Sequence, residues 1–141
     1  MSQDRPRIGL LDTSTVILLS QLSDPEQLPV EPLISAITLA ELSVGPLLAA
    51  DPTMRAARQA QLQQAEADFE PLPFDSPAAR AFARVAADLR SAGRKPAARA
   101  YDALIAAIAI ANDLPLYTVN PDDFSSITEL QLVAVPHPDH R

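Results

Sequence analysis

With 141 residues, 48% of them apolar, the chain can bury one ordinary hydrophobic core and is too apolar for a disordered segment. It has no cysteine, which excludes disulfides and thiolate metal sites, and its longest apolar run falls well short of a membrane span. A net charge of −7 argues against binding nucleic acid by bulk charge, because phosphate contacts need Lys and Arg.

The predicted elements begin with a short apolar strand, Arg7-Ile8-Gly9-Leu10-Leu11, which ends at Asp12. Val16-Ile17-Leu18-Leu19 continues as a buried first helix that stops near Asp24-Pro25. Pro32-Leu33-Ile34-Ser35 reads as a second strand, with a helix over residues 38 to about 49 behind it. Asp51-Pro52 supplies a cap and a proline at the first helical position, and so opens a helix rich in Ala, Gln and Arg. The prolines of Phe69-Glu70-Pro71-Leu72-Pro73-Phe74 keep that stretch extended. Asp75-Ser76-Pro77 caps the next helix, which runs to about Ser91 and leaves through Ala92-Gly93. Residues 98–112 form the most helix-like segment, apolar almost all round from Ala103, and are expected at the centre. Leu116-Tyr117-Thr118-Val119 and Leu132-Val133-Ala134-Val135 are the last strands. Alternating strands and helices predict an α/β fold with a mainly parallel sheet covered on both faces. The chain reads as a single domain over residues 1–141, with its core at about 7–135 and a tail at 136–141. A soluble, cytoplasmic protein is expected.

Charge is unevenly spread. Residues 80–99 hold Arg80, Arg84, Arg90, Arg94, Lys95 and Arg99 against Asp88 alone, a local net charge of +5 that ends just before Asp102. Such a segment is either a phosphate-facing rim or a solvated helix face.

Four acids stand where an apolar stretch begins or ends: Asp12, Glu41, Asp102 and Asp123. Each has a local structural explanation. Asp12 can cap a helix starting at Thr13 or Ser14, and Thr38-Leu39-Ala40-Glu41 matches a capping box. Asp102 can favour the positive end of the apolar helix, although Pro96-Ala97-Ala98-Arg99 suggests an earlier start. Asp122 and Asp123 suit an Asn-Pro-Asp-Asp turn. Taken together they say more. Ligands in parallel sheets collect beyond the carboxyl ends of strands, where Asp12 and Asn120 fall. Carboxylates gathered there repel one another unless a hard cation lies among them.

The words Leu11-Asp12-Thr13-Ser14, Ser35-Ala36-Ile37-Thr38-Leu39-Ala40-Glu41-Leu42-Ser43-Val44-Gly45, Tyr101-Asp102-Ala103-Leu104-Ile105-Ala106-Ala107 and Thr118-Val119-Asn120-Pro121-Asp122-Asp123-Phe124 occur in order from one end of the chain to the other. In them the chain resembles PIN-domain ribonucleases, and more closely the VapC-type toxins of toxin–antitoxin pairs. The resemblance implies an α/β/α sandwich and a metal-dependent endoribonuclease that uses Mg²⁺ or Mn²⁺. Asp12, Glu41 and Asp102 match the family's metal carboxylates, and Asp123 a further acid beside the metal. Asn120 is an alternative for that fourth role, and Asp122 is expected to face solvent. Thr13 or Ser14, with Thr118, would hold ligands or water in place. In the implied reaction, water activated by the metal and a carboxylate attacks phosphorus in line and leaves a 5′-phosphate and a 3′-hydroxyl. The resemblance also implies a homodimer and a cognate VapB-like antitoxin whose tail blocks the acidic centre.

Other readings are weaker. Leu11-Asp12-Thr13-Ser14 is similar to the aspartyl-phosphate loop of haloacid-dehalogenase-like phosphatases, but Ser14 stands where those need a second aspartate. Lys95 is the only lysine and there is no Gly-rich phosphate loop. His137 and His140 read as part of a polar tail, and Tyr101 as a packing residue. The remaining alternatives are a catalytically silent PIN-like binding module and a PIN nuclease of RNA processing.

Overall fold

The computed structural model describes residues 7–22, 24–95 and 99–140. Strand β1 (Ile8–Leu11) leads into helix α1 (Thr13–Ile17), then strand β2 (Glu31–Leu33) and helix α2 (Ala36–Val44). Helices α3 (Pro52–Asp68), α4 (Ser76–Ser91) and α5 (Ala100–Ala111) follow, and strands β3 (Leu116–Thr118) and β4 (Leu132–Ala134) close the sheet. The strand order is β2-β1-β3-β4, and every pair is parallel.

Side chains alternate across the strands, so neighbouring residues serve opposite layers. Leu10 and Leu116 join the cluster built with α4 and α5, including Val85, Leu89, Ile105 and Ile108. Leu11 and Tyr117 face the other way, into the cluster with Val16, Leu42 and Ala65 from α1, α2 and α3. Both faces are therefore covered, and the expected α/β/α sandwich is the architecture found. Helix α5 is central as its composition predicts, with Ala103 and the run from Ile105 to Ala109 buried. Among the described residues no helix is long and apolar enough to cross a membrane.

Several boundaries differ from expectation. Helix α1 has only five residues and gives way to a 3-10 turn at Leu19–Gln21. Its Thr, Val and Ile side chains are β-branched and poor helix formers. The amide of Gln61 on α3 also takes the Ile17 carbonyl, at 3.2 Å. Helix α2 starts earlier, at Ala36, and ends at Val44, with Gly45–Leu48 continuing as a 3-10 turn. Pro46 cannot extend an α-helix, and Arg58 Nη1 satisfies the Gly45 carbonyl at 2.9 Å. The segment near Leu72 is extended as expected and forms a single parallel bridge to Ser35, its flanking prolines limiting further pairing. The expected helix start at Ala98 lies outside the described residues.

Candidate functional site

Strand β1 is followed in the chain by β2 on one side of it, while β3 returns on its other side. The carboxyl ends of β1 and β3 therefore flank the point where the strand order reverses, the usual place for a site in such sheets. Asp12 follows β1 and Thr118 ends β3, and Thr118 Oγ1 donates to Asp12 Oδ2 at 2.9 Å.

Asp12 is only 3% exposed, yet both of its oxygens are held. Oδ1 accepts from the Thr15 backbone N–H at 3.1 Å and from Thr15 Oγ1 at 2.5 Å, so Asp12 does cap α1 as its local setting suggests. Thr15 Oγ1 in turn accepts from the Val119 N–H at 3.1 Å, and Thr118 Oγ1 from the Asn120 N–H at 2.9 Å. Two threonine hydroxyls thus tie one carboxylate to the end of β3.

Glu41 lies on α2, where the structure corrects the capping-box reading. The helix is capped by Ser35, whose Oγ accepts from the Thr38 N–H at 3.1 Å. Glu41 Oε1 instead accepts from Thr13 Oγ1 at 2.6 Å. Because Thr13 spends its single proton there, Thr38 Oγ1 must donate to Thr13 Oγ1 across 2.9 Å. A chain of hydroxyls from α2 to α1 therefore orients Glu41.

Asp102 sits in the first turn of α5, beyond the cap position, which Arg99 occupies. Asp123 belongs to the 3-10 turn Pro121–Asp123 after β3, and its Oδ1 accepts from Arg99 Nη1 at 2.6 Å. Asp122 is exposed, as expected. Asn120 is partly buried and leads into this turn.

The four acids feel one another. Burial, followed by the fields of Asp123, Asp12 and Glu41, pushes the Asp102 carboxyl up to about 6. Burial also raises Asp12, opposed by its hydrogen bonds to Thr15 and Thr118, with Asp123 adding to the rise. Glu41 is raised by burial and by Asp12, opposed by the Thr13 hydrogen bond. As the side chains lie, no three His, Cys, Asp or Glu among the described residues close into a tight ligand group. The donor set is nevertheless all oxygen and mutually repulsive, which suits a hard divalent cation. A cavity of about 230 Å³ opens beside Glu41, lined by Thr13, Arg58 and Gln61 among others.

Of the supporting residues, Thr13 donates to Glu41 and Thr118 to Asp12, whereas Ser14 makes no side-chain hydrogen bond among the described residues. Tyr101 is 58% exposed, which corrects its reading as a packing residue. His137 Nδ1 accepts from the Asp139 N–H at 3.1 Å within a C-terminal turn. Thr15 was not legible as a site residue, and Arg99 was legible only as the end of the basic segment that could form a phosphate-facing rim. The available signals were a hydroxyl three positions after a capping aspartate, and a basic residue where a helix cap belongs.

The PIN domain family model matches residues 10–130 of the chain. Ribonuclease VapC5 of Mycobacterium tuberculosis is 40% identical over 124 residues, 86% of this chain and 89% of that protein. Ribonuclease VapC8 of Mycobacterium tuberculosis is 34% identical over 109 residues, 77% of this chain and 96% of its own length. The solved structure of VapBC-5 from Mycobacterium tuberculosis, a member of the VapBC family of toxin–antitoxin systems, matches with a TM-score of 0.80 at 40% identity, covering 92% of this chain and 100% of that one. FitAcB from Neisseria gonorrhoeae matches with a TM-score of 0.68 at 31% identity, over 95% and 99% of the two chains.

Proposed function

Since the chain belongs to the PIN-domain family, among its VapC-type members, we propose that it is the endoribonuclease toxin of a toxin–antitoxin pair, with Mg²⁺ or Mn²⁺ held by Asp12, Glu41 and Asp102. The observation that carries this reading is the placement of buried Asp12 just beyond β1, its oxygens held by Thr15 and Thr118, in a field shared with Glu41 and Asp102. A divalent ion in that field supplies Lewis acidity toward the phosphate and makes the attacking water more acidic. The protein's own part is preorganisation. Thr15 and Thr118 hold both oxygens of Asp12, and Thr13 holds Oε1 of Glu41, so these carboxylates need no rotamer search on binding an ion.

A VapB-like antitoxin is the proposed partner, with an arginine of its tail competing with the ion for Asp12, Glu41 and Asp102. A complex in which that pocket stays empty would contradict this. Protein-binding surface supports a partner and a homodimer: Leu47 and Leu48 are 78% and 73% exposed. An apolar groove of about 410 Å³ also runs between α1 and α3, past Val16, Leu19 and Phe69.

Purified protein incubated with total RNA is expected to yield discrete products in Mg²⁺ or Mn²⁺, none in EDTA, and none with Asp12→Asn. Intact RNA after incubation with folded, Mg²⁺-binding protein would defeat the nuclease reading. A catalytically silent binding module is the second reading, favoured by the fact that Asp12 really caps α1. A Tm that Mg²⁺ leaves unchanged would decide for it.

A further inference from the structure

The basic segment that ends at Arg99 is not accounted for by the metal site. Arg99 occupies the cap position of α5, and its side chain makes no capping bond. Arginine is a poor residue there, since it offers no acceptor to the exposed N–H groups and its charge opposes the positive end of the helix. A residue that breaks a local rule calls for a compensating gain elsewhere.

The gain is an ion pair across the site. Arg99 Nη1 donates to Asp123 Oδ1 at 2.6 Å, joining the start of α5 to the turn after β3, and the two side chains are 34% and 38% exposed. The pair borders the acidic centre, because Arg99 stands one turn before Asp102 on α5, and the turn that holds Asp123 begins at Asn120, whose N–H donates to the same Thr118 hydroxyl that binds Asp12. Two consequences follow from elementary electrostatics. An oxygen engaged by a guanidinium is not free for a cation, and the guanidinium repels any divalent ion that comes closer. A phosphodiester has the opposite need. The planar fork of an arginine suits its oxygens, and the remaining N–H donors of Arg99 have no hydrogen bond among the described residues.

We propose that Arg99 and Asp123 act as one unit of the reaction site: Asp123 anchors the guanidinium instead of ligating the ion, and Arg99 receives a phosphate oxygen of the bound RNA. This rests on the nuclease reading, and it moves Asp123 from the metal's ligand set to the substrate's.

The test combines Mg²⁺ titration calorimetry with cleavage of total RNA, using Arg99→Gln, Asp123→Asn, the double replacement and Asp102→Asn. The double replacement leaves the net charge unchanged, so Mg²⁺ affinity should stay within about threefold of the parent. Arg99→Gln alone should tighten Mg²⁺ binding, and Asp102→Asn should lose it. Cleavage should fall by a similar factor, about 10- to 100-fold, in each single variant and in the double, as members of a unit behave. Arg99→Lys should keep the Mg²⁺ affinity and recover part of the rate. A loss of Mg²⁺ affinity of about tenfold or more in the double replacement would make Asp123 an ion ligand and overturn the anchor role. Parental cleavage by Arg99→Gln would overturn the phosphate contact. A parent protein that binds Mg²⁺ but cuts no RNA would defeat the nuclease reading and the phosphate contact with it, while calorimetry would still decide the anchor role.

Discussion

Thr15 shows how much a single hydroxyl carries at this site. It donates to Asp12 Oδ1 and accepts from the Val119 N–H, so it satisfies a buried carboxylate and a buried backbone donor together. Replacing it with valine keeps the shape and removes both bonds, leaving two buried polar groups without that partner. Thr15→Val is expected to lower stability by about 1–3 kcal/mol in urea denaturation, and to weaken Mg²⁺ binding because Asp12 keeps only the Thr15 N–H and the Thr118 hydroxyl as anchors. An unchanged urea midpoint would show that solvent or a neighbour replaces the hydroxyl. Asp12, Glu41 and Asp102 were legible as candidates because each ends or opens an apolar stretch. Thr15 was not, since a threonine in a short helix is ordinary until β3 is seen beside it.

At the scale of elements, α2 separates local from tertiary explanations of one glutamate. The capping-box reading makes Glu41 a helix-start residue, whereas Ser35 is the cap and Glu41 turns toward Thr13. Ser35→Ala should cost about 1 kcal/mol in thermal unfolding. Glu41→Gln keeps an acceptor for Thr13 and removes a charge that raises Asp102, so in EDTA it should raise the Tm. A lowered Tm in Glu41→Gln would show that the charge of Glu41 stabilises the metal-free fold, against the expected carboxylate repulsion. The packing of β1 against β3 gives a second expectation. A Cβ on Gly9 would lie 2.6 Å from Tyr117 Cε1 and 3.1 Å from Pro29 Cβ. Gly9→Ala should therefore destabilise by about 1–3 kcal/mol in the same assay, because the buried Tyr117 ring would have to shift. Most elements were legible from caps and apolar runs: Asp51 and Asp75 accept from the Met54 and Ala78 N–H groups as expected. The ends of α1 and α2 were not, because contacts from Gln61 and Arg58 on α3 help to set them.

For the whole molecule, the acidic centre should tie stability to pH and, if it holds the proposed ion, to metal. Asp12, Glu41 and Asp102 all titrate above their ordinary values, so the folded state binds their protons more tightly than the unfolded chain does. In EDTA, their contribution should favour folding near pH ~4 and weaken as pH rises through about 6, where Asp102 ionises. Mg²⁺ should then raise the Tm most above that window and little below it. Asp12→Asn should flatten both responses, as thermal unfolding across pH with and without Mg²⁺ would reveal. An EDTA-treated protein whose stability climbs steadily from pH 5 to 7 would contradict the repulsion among these carboxylates.

The order of strands and helices, the coverage of both sheet faces and the candidate acids follow from hydrophobic period, proline and capping chemistry, which are local properties of the chain. The tertiary structure alone decided the partners. Thr15 and Thr118 meet Asp12, Thr13 meets Glu41, and Arg99 meets Asp123 only after β3 lies beside β1 and α5 packs beneath the sheet. A side chain's polar partner depends on which distant segment arrives within about 3 Å, and no local pattern encodes that distance.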